Sequence, residues 1–453
     1  MIKSIKQLAE KVGFEYLGED TQIGTIAINS NDIQNNSLFV AIVANRDGHE
    51  FILQAISNGA KAILVSKKQD INIPQIVCKN TIKGLRKLAT EYRKSLKMPI
   101  ISLTGSCGKT TVKEMIVTLF GDKKVHFTKG NLNNYLGVPM TILETPKDAE
   151  FAVIEAGTNV GGEIKAAAEV IQPDVALITN VGACHLENLK TLDGVMTEKG
   201  ELLRSLSESG CCIINLDDER IPVYAENLSC KKITCSMQNP KADIYIDRYE
   251  LIDDVYYVTV MLFDKEYEYK LPNIGKHNLF NSITAIATLI AAGLKPNEIL
   301  ANTQQIKNYT GRFSSEKITK NLTLVDDSYN ASITAVEAAI DDLNEFNGKS
   351  VLVLSAMREL GEEAEYYHKK IGKVLKNTNI DNVLLYGDNE YITMMVEEAK
   401  KPSVIQYKTK AELENDLREI LKINTDLDTK VIVKGARYYT MEEIVGFIKR
   451  EFK

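Results

Sequence analysis

Two glycines, a lysine and two threonines stand together in Thr104-Gly105-Ser106-Cys107-Gly108-Lys109-Thr110-Thr111. This grouping can hold a triphosphate. Gly105 and Gly108 let successive backbone N–H groups curl around phosphate oxygens, and a helix opening behind them adds positive potential. Lys109 can reach the outer phosphates, and the Thr110 hydroxyl is a ligand for Mg²⁺. Leu103 occupies the position where the longer form of this loop starts with glycine, so the chain carries the shorter Gly-x-x-Gly-Lys form. A Gly-rich turn with a solvated lysine is the bland alternative; the order strand, Gly-Lys-Thr, helix favours a nucleotide. Cys107 reads as a small filler, although a helix N-terminus and Lys109 are expected to lower its pKa.

Phosphoryl transfer also needs cation ligands beside the phosphates. Glu155 closes the apolar run Phe151-Ala152-Val153-Ile154, and His185 follows Val175-Ala176-Leu177-Ile178 after a short polar loop. Both fall at the C-terminal ends of expected strands, where α/β sheets bind ligands. A single Glu there reads equally well as an exposed loop carboxylate, and a lone His is more often structural. Lys199, on an expected helix, reads on its own as a solvated charge. Residue chemistry by itself ends at metal-assisted phosphoryl transfer.

The elements that must position these residues alternate between strand and helix. At 453 residues the chain should form about three domains, at roughly 150 residues each. Residues 1 to about 80 contain strand-like runs at 27–28, 38–41 and 62–65 and a helix over 51–57. A charged helical stretch over 83–97 leads to a seam at Met98-Pro99. From Ile100 the strands end in polar residues, as a mostly parallel sheet with a site at its edge requires, and a helix is expected over 112–120. Residues 243–271 alternate and are rich in Tyr and Val, which predicts an antiparallel meander. Past Thr310, runs at 322–325, 351–354, 383–386 and 431–433 alternate with amphipathic stretches, predicting a second doubly wound α/β unit.

Composition narrows the class. The apolar fraction of 44% and charged fraction of 26% are those of a globular protein, and no apolar run approaches the ~20 residues of a membrane span. The first ten residues have helical apolar spacing and read as a surface helix, so no membrane insertion and a cytoplasmic location are expected. Seven scattered cysteines point to reduced thiols serving as small apolar residues. A net charge of −6 and the absence of Trp argue against a nucleic-acid partner.

Further fragments occur in order along the chain: 130–139, 162–164, 180–187, 275–281, 311–313, 326–331 and 434–437. With the phosphate loop, they make the sequence resemble the Mur ligase family over nearly its whole length. The closest likeness is to the member joining D-alanyl-D-alanine to a UDP-linked muramoyl tripeptide. The resemblance implies three domains: a UDP-substrate domain over 1–82, a central P-loop ATPase domain over 83–309 and a C-terminal Rossmann-like domain over 310–453. It implies ATP and two Mg²⁺ ions as cofactors; the sequence carries no signal for an oligomer, and a monomer is the default expectation.

By resemblance, Gly105, Ser106, Cys107, Gly108, Lys109, Thr110 and Thr111 hold the phosphates, and Thr110 and Glu155 hold the first Mg²⁺. His185 would hold the second with Lys199, which the family commonly carbamylates; a carbamate turns a cationic amine into a hard oxygen ligand. Asn278 and Asn281 would contact adenine, Arg312 and Asp327 would close over phosphates and ribose, and Asn134 would lie near the transferred phosphoryl group. Ser30, Arg46, Asp47 and His49 fall where the family binds UDP, though ordinary loop chemistry also accounts for them. Tyr329, Asn330 and Lys434 fall with the substrate residues.

The family's Asp-Ser-Arg reads Asn29-Ser30-Asn31, and Tyr-Asn-Ala-Asn-Pro reads Tyr329-Asn330-Ala331-Ser332-Ile333. Gly-Asp-Met reads Ser355-Ala356-Met357, and Lys-Gly-Ser-Arg reads Lys434-Gly435-Ala436-Arg437. These changes gather where two substrates would meet the outer domains. A family relative acting on another acid–amine pair therefore stays open, as does a non-catalytic nucleotide-binding module in which Lys199 and His185 are incidental.

Overall fold

The computed structural model of the protein describes residues 2–272, 275–422 and 427–453; Met1, in the expected N-terminal helix, lies outside them. That helix is Ile5–Lys11, capped by Ser4, whose Oγ accepts from the Gln7 amide at 3.1 Å.

Three sheets organise the described residues. The first has the order Glu15–Leu17, Gln75–Val77, Ala60–Val65, Ser37–Val40, Thr25–Ala27 and is parallel except at its first pair. The middle sheet places Ile100–Thr104 between Val175–Ile178 and Phe151–Glu155, all parallel. It continues through Cys211–Asn215 and Lys231–Ser236 into the antiparallel meander Ile244–Ile252, Val255–Leu262, Lys265–Pro272. The third runs Ser314–Lys317, Leu322–Asp327, Thr429–Lys434, Lys349–Ser355, Asn382–Tyr386, Val404–Tyr407 and is parallel after its first pair.

Burial explains the apolar runs. Ile100–Thr104 and Val175–Ile178 are buried throughout, because helices cover both faces of a parallel sheet. Ile100, Ile154 and Ile178 join a core continuous with the first sheet. Their neighbours Ile101, Leu103, Val153 and Leu177 face the opposite core, against the helices Lys109–Leu119 and His277–Ala291. In the third sheet, Leu352, Leu354 and Ile432 share a core with Ala183, Leu186, Leu189 and Val195 of the middle unit. The chain around His185 is thus packed between two sheets.

Several expectations shift. The first strand ends at Ala27, leaving Ile28 outside it and exposed. The helix expected over 83–97 is Thr81–Arg93, started by Asn80, whose Oδ1 accepts from the Lys83 amide. The helix after the phosphate loop begins at Lys109 rather than Val112. Edge strands Ser314–Lys317 and Val404–Tyr407 escaped notice because short, partly polar edges carry little periodic signal. No described helix is long and apolar enough to cross a membrane.

Buried Arg93 ties the helix Thr81–Arg93 to the middle unit: its guanidinium donates to Ile171 O at 2.7 Å, Gln172 O at 2.8 Å and Asp174 Oδ2 at 3.3 Å. Replacing it strands helix-end carbonyls away from water. Arg93→Met should lower stability by about 2 kcal/mol, read as an earlier urea midpoint; an unchanged midpoint would contradict this.

Candidate active site

The three central strands end side by side, so Thr104, Glu155 and Thr179 frame one opening. The phosphate loop crosses it. Gly105 has φ 153°, and a Cβ there would lie 1.8 Å from Thr179 Oγ1, which donates to Cys107 O at 2.6 Å. The loop is held from outside by the chain after Ile178. Ser106 N donates to Asn180 O at 3.0 Å, Cys107 N to Asn180 Oδ1 at 3.0 Å, and Ser106 Oγ to Gly182 O at 3.0 Å. Gly108, at φ 79°, precedes the helix, and Lys109 Nζ donates to Gly105 O at 2.6 Å. The helix N-terminus and Lys109 thus share one concave surface, suited to polyphosphate.

Glu155 is fully buried at the floor of this opening. Its Oε1 accepts from Thr110 Oγ1 at 3.2 Å and Asn133 Nδ2 at 2.7 Å. Its Oε2 is buried with no hydrogen-bond partner. A buried carboxylate oxygen facing a threonine hydroxyl fits a hard divalent cation. Asn133 is an unforeseen member of the group. Asn134, the expected one, accepts from the Leu136 and Gly137 amides at 3.0 and 2.9 Å and caps the helix Gly137–Glu144. Three asparagines in four residues gave no way to choose among them.

Lys199 overturns the reading of a solvated helix charge: it is 1% exposed. The helix Leu192–Arg204 is fixed beside the site through Glu198, which accepts from the Gly162 and Ile164 amides at 2.6 and 2.7 Å. Burial, with the charge of Lys109 adding to it, lowers the Lys199 pKa to about 8. Cys184, Glu198 and Cys107 act in the opposite direction, which places Lys199 among the residues of the phosphate loop. No carboxylate lies in salt-bridge range of it among the described residues.

His185, in a left-handed conformation at φ 53°, pairs through Nδ1 with Glu359 Oε2 at 2.5 Å. The hydrogen bond from His185 lowers the Glu359 pKa. Glu359 lies in the loop after strand Lys349–Ser355, so the same rule that singled out Glu155 could have found it. Among the described residues no three of His, Cys, Asp and Glu converge as a ready-made metal cluster.

The third sheet closes over the opening. Arg312 Nη2 donates to Thr110 Oγ1 at 3.4 Å, and its guanidinium stacks 3.9 Å from the Tyr329 ring centre. Lys434, 1% exposed, reaches Asp327 Oδ2 at 2.5 Å and Asn330 O at 3.2 Å. Asn281 lies against Gly108 and donates to Asn278 Oδ1 at 2.6 Å. Two of the positions that depart from the resembled pattern touch each other: Ser355 Oγ accepts from the Ala436 amide at 3.1 Å.

Ser30, Arg46, Asp47 and His49 lie in the loops and short turns that connect strands of the first sheet, and no hydrogen bond among the described residues joins them to the phosphate loop. Ser30 is buried and donates to Gln54 Oε1 at 2.9 Å, while Asp47 pairs with His49 Nδ1 at 2.5 Å. Arg46 is exposed. The expectation of a lowered Cys107 pKa is corrected: burial pushes the thiol up, outweighing Asn180 and Lys109. All seven cysteines are free thiols, six of them buried, as their use as small apolar residues requires.

Comparison with known proteins places the fold in a family. Residues 103–289 match the Mur ligase middle domain, and residues 311–437 the Mur ligase, glutamate ligase domain. The UDP-N-acetylmuramoyl-tripeptide–D-alanyl-D-alanine ligase of Haemophilus influenzae is 32% identical over 464 residues, covering 100% of both chains. The enzyme of that name from Escherichia coli is 32% identical, covering 98% of this chain and 97% of its own. The chain belongs to the Mur ligase family. A crystal structure of MurF from Acinetobacter baumannii superposes with a TM-score of 0.91 at 27% identity, covering 98% of each chain. MurF of Thermotoga maritima in complex with ADP gives 0.82 at 27% identity, covering 94% of this chain and 97% of its own.

Gly105→Ala should weaken ATP binding roughly tenfold to a hundredfold through about 1–3 kcal/mol of local strain, measured by calorimetry; unchanged affinity would contradict the loop geometry. Cys107, with its raised pKa, should react with iodoacetamide at pH 8 more slowly than free cysteine, accelerate as the pH rises, and be shielded by ATP. Mass spectrometry of its peptide checks this, and labelling that is fast or indifferent to ATP would refute it.

Proposed function

We propose that this protein is the ATP-dependent ligase that adds D-alanyl-D-alanine to UDP-N-acetylmuramoyl-tripeptide in peptidoglycan precursor synthesis, releasing ADP and phosphate. Full-length similarity to ligases of that name supports it, together with a site that joins a phosphate loop to buried cation ligands. The carrying observation is the buried, unpartnered Glu155 Oε2 beside Thr110 and Lys109. Sheets confined to residues 15–77, 100–272 and 314–434 favour domains over 1–82, 83–309 and 310–453. One chain supplies every element of the site, so a monomer suffices, and a cytoplasmic location suits substrates made there.

In this reading the terminal carboxylate of the tripeptide attacks the γ-phosphorus of ATP and ADP leaves. The resulting acyl phosphate is attacked at its carbonyl carbon by the dipeptide amine, which loses a proton as phosphate departs. Gly105, Ser106, Cys107, Gly108 and Thr111 hold the phosphates, while Lys109 offsets charge on the transferring group. Asn278 and Asn281 hold adenine, and Arg312 and Asp327 cover phosphate and ribose. Asn134 stands beside Asn133 at the edge of the phosphoryl path. Ser30, Arg46, Asp47 and His49 take the UDP end; Tyr329, Asn330 and Lys434 line the side where the substrates meet. Closure of the third sheet keeps water from the acyl phosphate.

Mg²⁺ at Thr110 and Glu155, and a second ion at His185 and Lys199, would supply charge neutralisation on the phosphoryl oxygens. The residues fit: an orphaned buried carboxylate oxygen at the first position, a free ring nitrogen and a buried amine at the second. With its pKa near 8, roughly half of Lys199 is neutral amine at pH 8, against well under a hundredth for an ordinary lysine. A neutral amine is the form that adds CO₂, which makes Lys199 a fitting site for carbamylation.

The assay supplies ATP, Mg²⁺, the UDP-muramoyl tripeptide and D-alanyl-D-alanine and records phosphate release. Release that needs both substrates is expected; release only with other acid–amine pairs would identify a different ligase, and none with any pair a binding module. Lys199→Ala should abolish ligation, with partial return on added bicarbonate; full activity in that variant would remove the carbamate.

A further inference from the structure

We propose that Glu359 is a positioning residue that aims the imidazole of His185 into the phosphate site, so that docking of the third sheet completes the second cation position. This rests on the reading of His185 as a metal ligand and adds a partner outside the middle unit. Glu359 Oε2 lies 2.5 Å from His185 Nδ1. A carboxylate there accepts a hydrogen bond from Nδ1–H and so favours the tautomer with its proton on Nδ1, which turns Nε2 towards a cation.

Backbone geometry argues that the contact is built rather than incidental. His185 and Glu359 both adopt positive φ, 53° and 65°, a region side chains other than glycine rarely occupy. Glu187 N donates to Glu359 O at 3.2 Å, so the two segments are also joined through main chain. Gly361, at φ 56°, sits so close that a Cβ would lie 2.8 Å from Glu187 Cα. Leu186 and Leu360, the neighbours of the pair, are buried in one shared core. Two loops from different sheets therefore meet at both backbone and side chain. Among the described residues, the polar side-chain contact between them ends on His185 Nδ1, the ring nitrogen that sets the direction of the other. Because Glu359 follows strand Lys349–Ser355 and His185 follows strand Val175–Ile178, the ring is oriented only when the two sheets are docked.

The test uses the full chain carrying histidine ¹⁵N-labelled in the ring, at pH 8 without metal, with His185→Asn identifying the His185 resonances. The wild-type ring should be protonated at Nδ1 and unprotonated at Nε2. In Glu359→Ala it should move towards the opposite tautomer, and Glu359→Gln, which keeps an acceptor oxygen, should restore much of the wild-type pattern. In the ligation assay the Mg²⁺ concentration for half-saturation should rise about 10–100-fold in Glu359→Ala, with the ATP KM at saturating Mg²⁺ changed far less. A wild-type ring protonated at both nitrogens, or unprotonated at Nδ1, would overturn the proposal. So would an alanine variant with unaltered resonances and Mg²⁺ dependence. If His185→Asn leaves the Mg²⁺ dependence untouched, the metal-ligand reading fails, while the tautomer measurement still decides the role of Glu359.

Discussion

The site is built around a carboxylate sealed from water, one oxygen of which has no hydrogen-bond partner. Leaving such a group unsatisfied costs about 1–3 kcal/mol, and more when it is charged. Glu155 nevertheless ends a central strand in that state, with Thr110 and Asn133 on its other oxygen. A divalent cation received there, as proposed for Thr110 and Glu155, would offset that cost. The surrounding architecture serves it: three parallel strands end together, the phosphate loop bends across them, and the segment after Ile178 clamps that loop from the side.

Electrostatics around this floor follow from burial. Lys199 would be an ordinary ammonium on an exposed helix; burial, with the charge of Lys109 adding to it, lowers its pKa to about 8. Cys107 shows the opposite outcome of the same physics. Its loop position suggested a reactive thiolate, yet desolvation outweighs the nearby cation and holds the thiol protonated. Burial thus favours the neutral form of both groups, lowering the lysine pKa and raising that of the cysteine.

The third sheet does more than shelter the opening. Arg312 reaches Thr110, Gly182 packs close to Thr334, and the loop at Glu359 joins the segment at His185. Chemistry that exposes an acyl phosphate needs water excluded, and a site finished by docking couples that exclusion to the placement of its ligands. The altered positions Ser355 and Ala436 both lie in the third unit, where the Ala436 amide donates to Ser355 Oγ.

How much of this was legible in the sequence depended on whether the signal was local. The phosphate loop, the strand ends at Glu155 and His185, and the antiparallel meander are written in contiguous residues, because periodicity and turn chemistry act over short stretches. Order and spacing of further fragments carried the family resemblance. Tertiary structure decided the rest: that Lys199 is buried, that Asn133 reaches Glu155 while Asn134 caps a helix, that the Cys107 thiol is raised, and that Glu359 meets His185. Burial and pairing between separate segments of the chain depend on how strands and sheets pack, and no single periodic stretch of sequence contains that information.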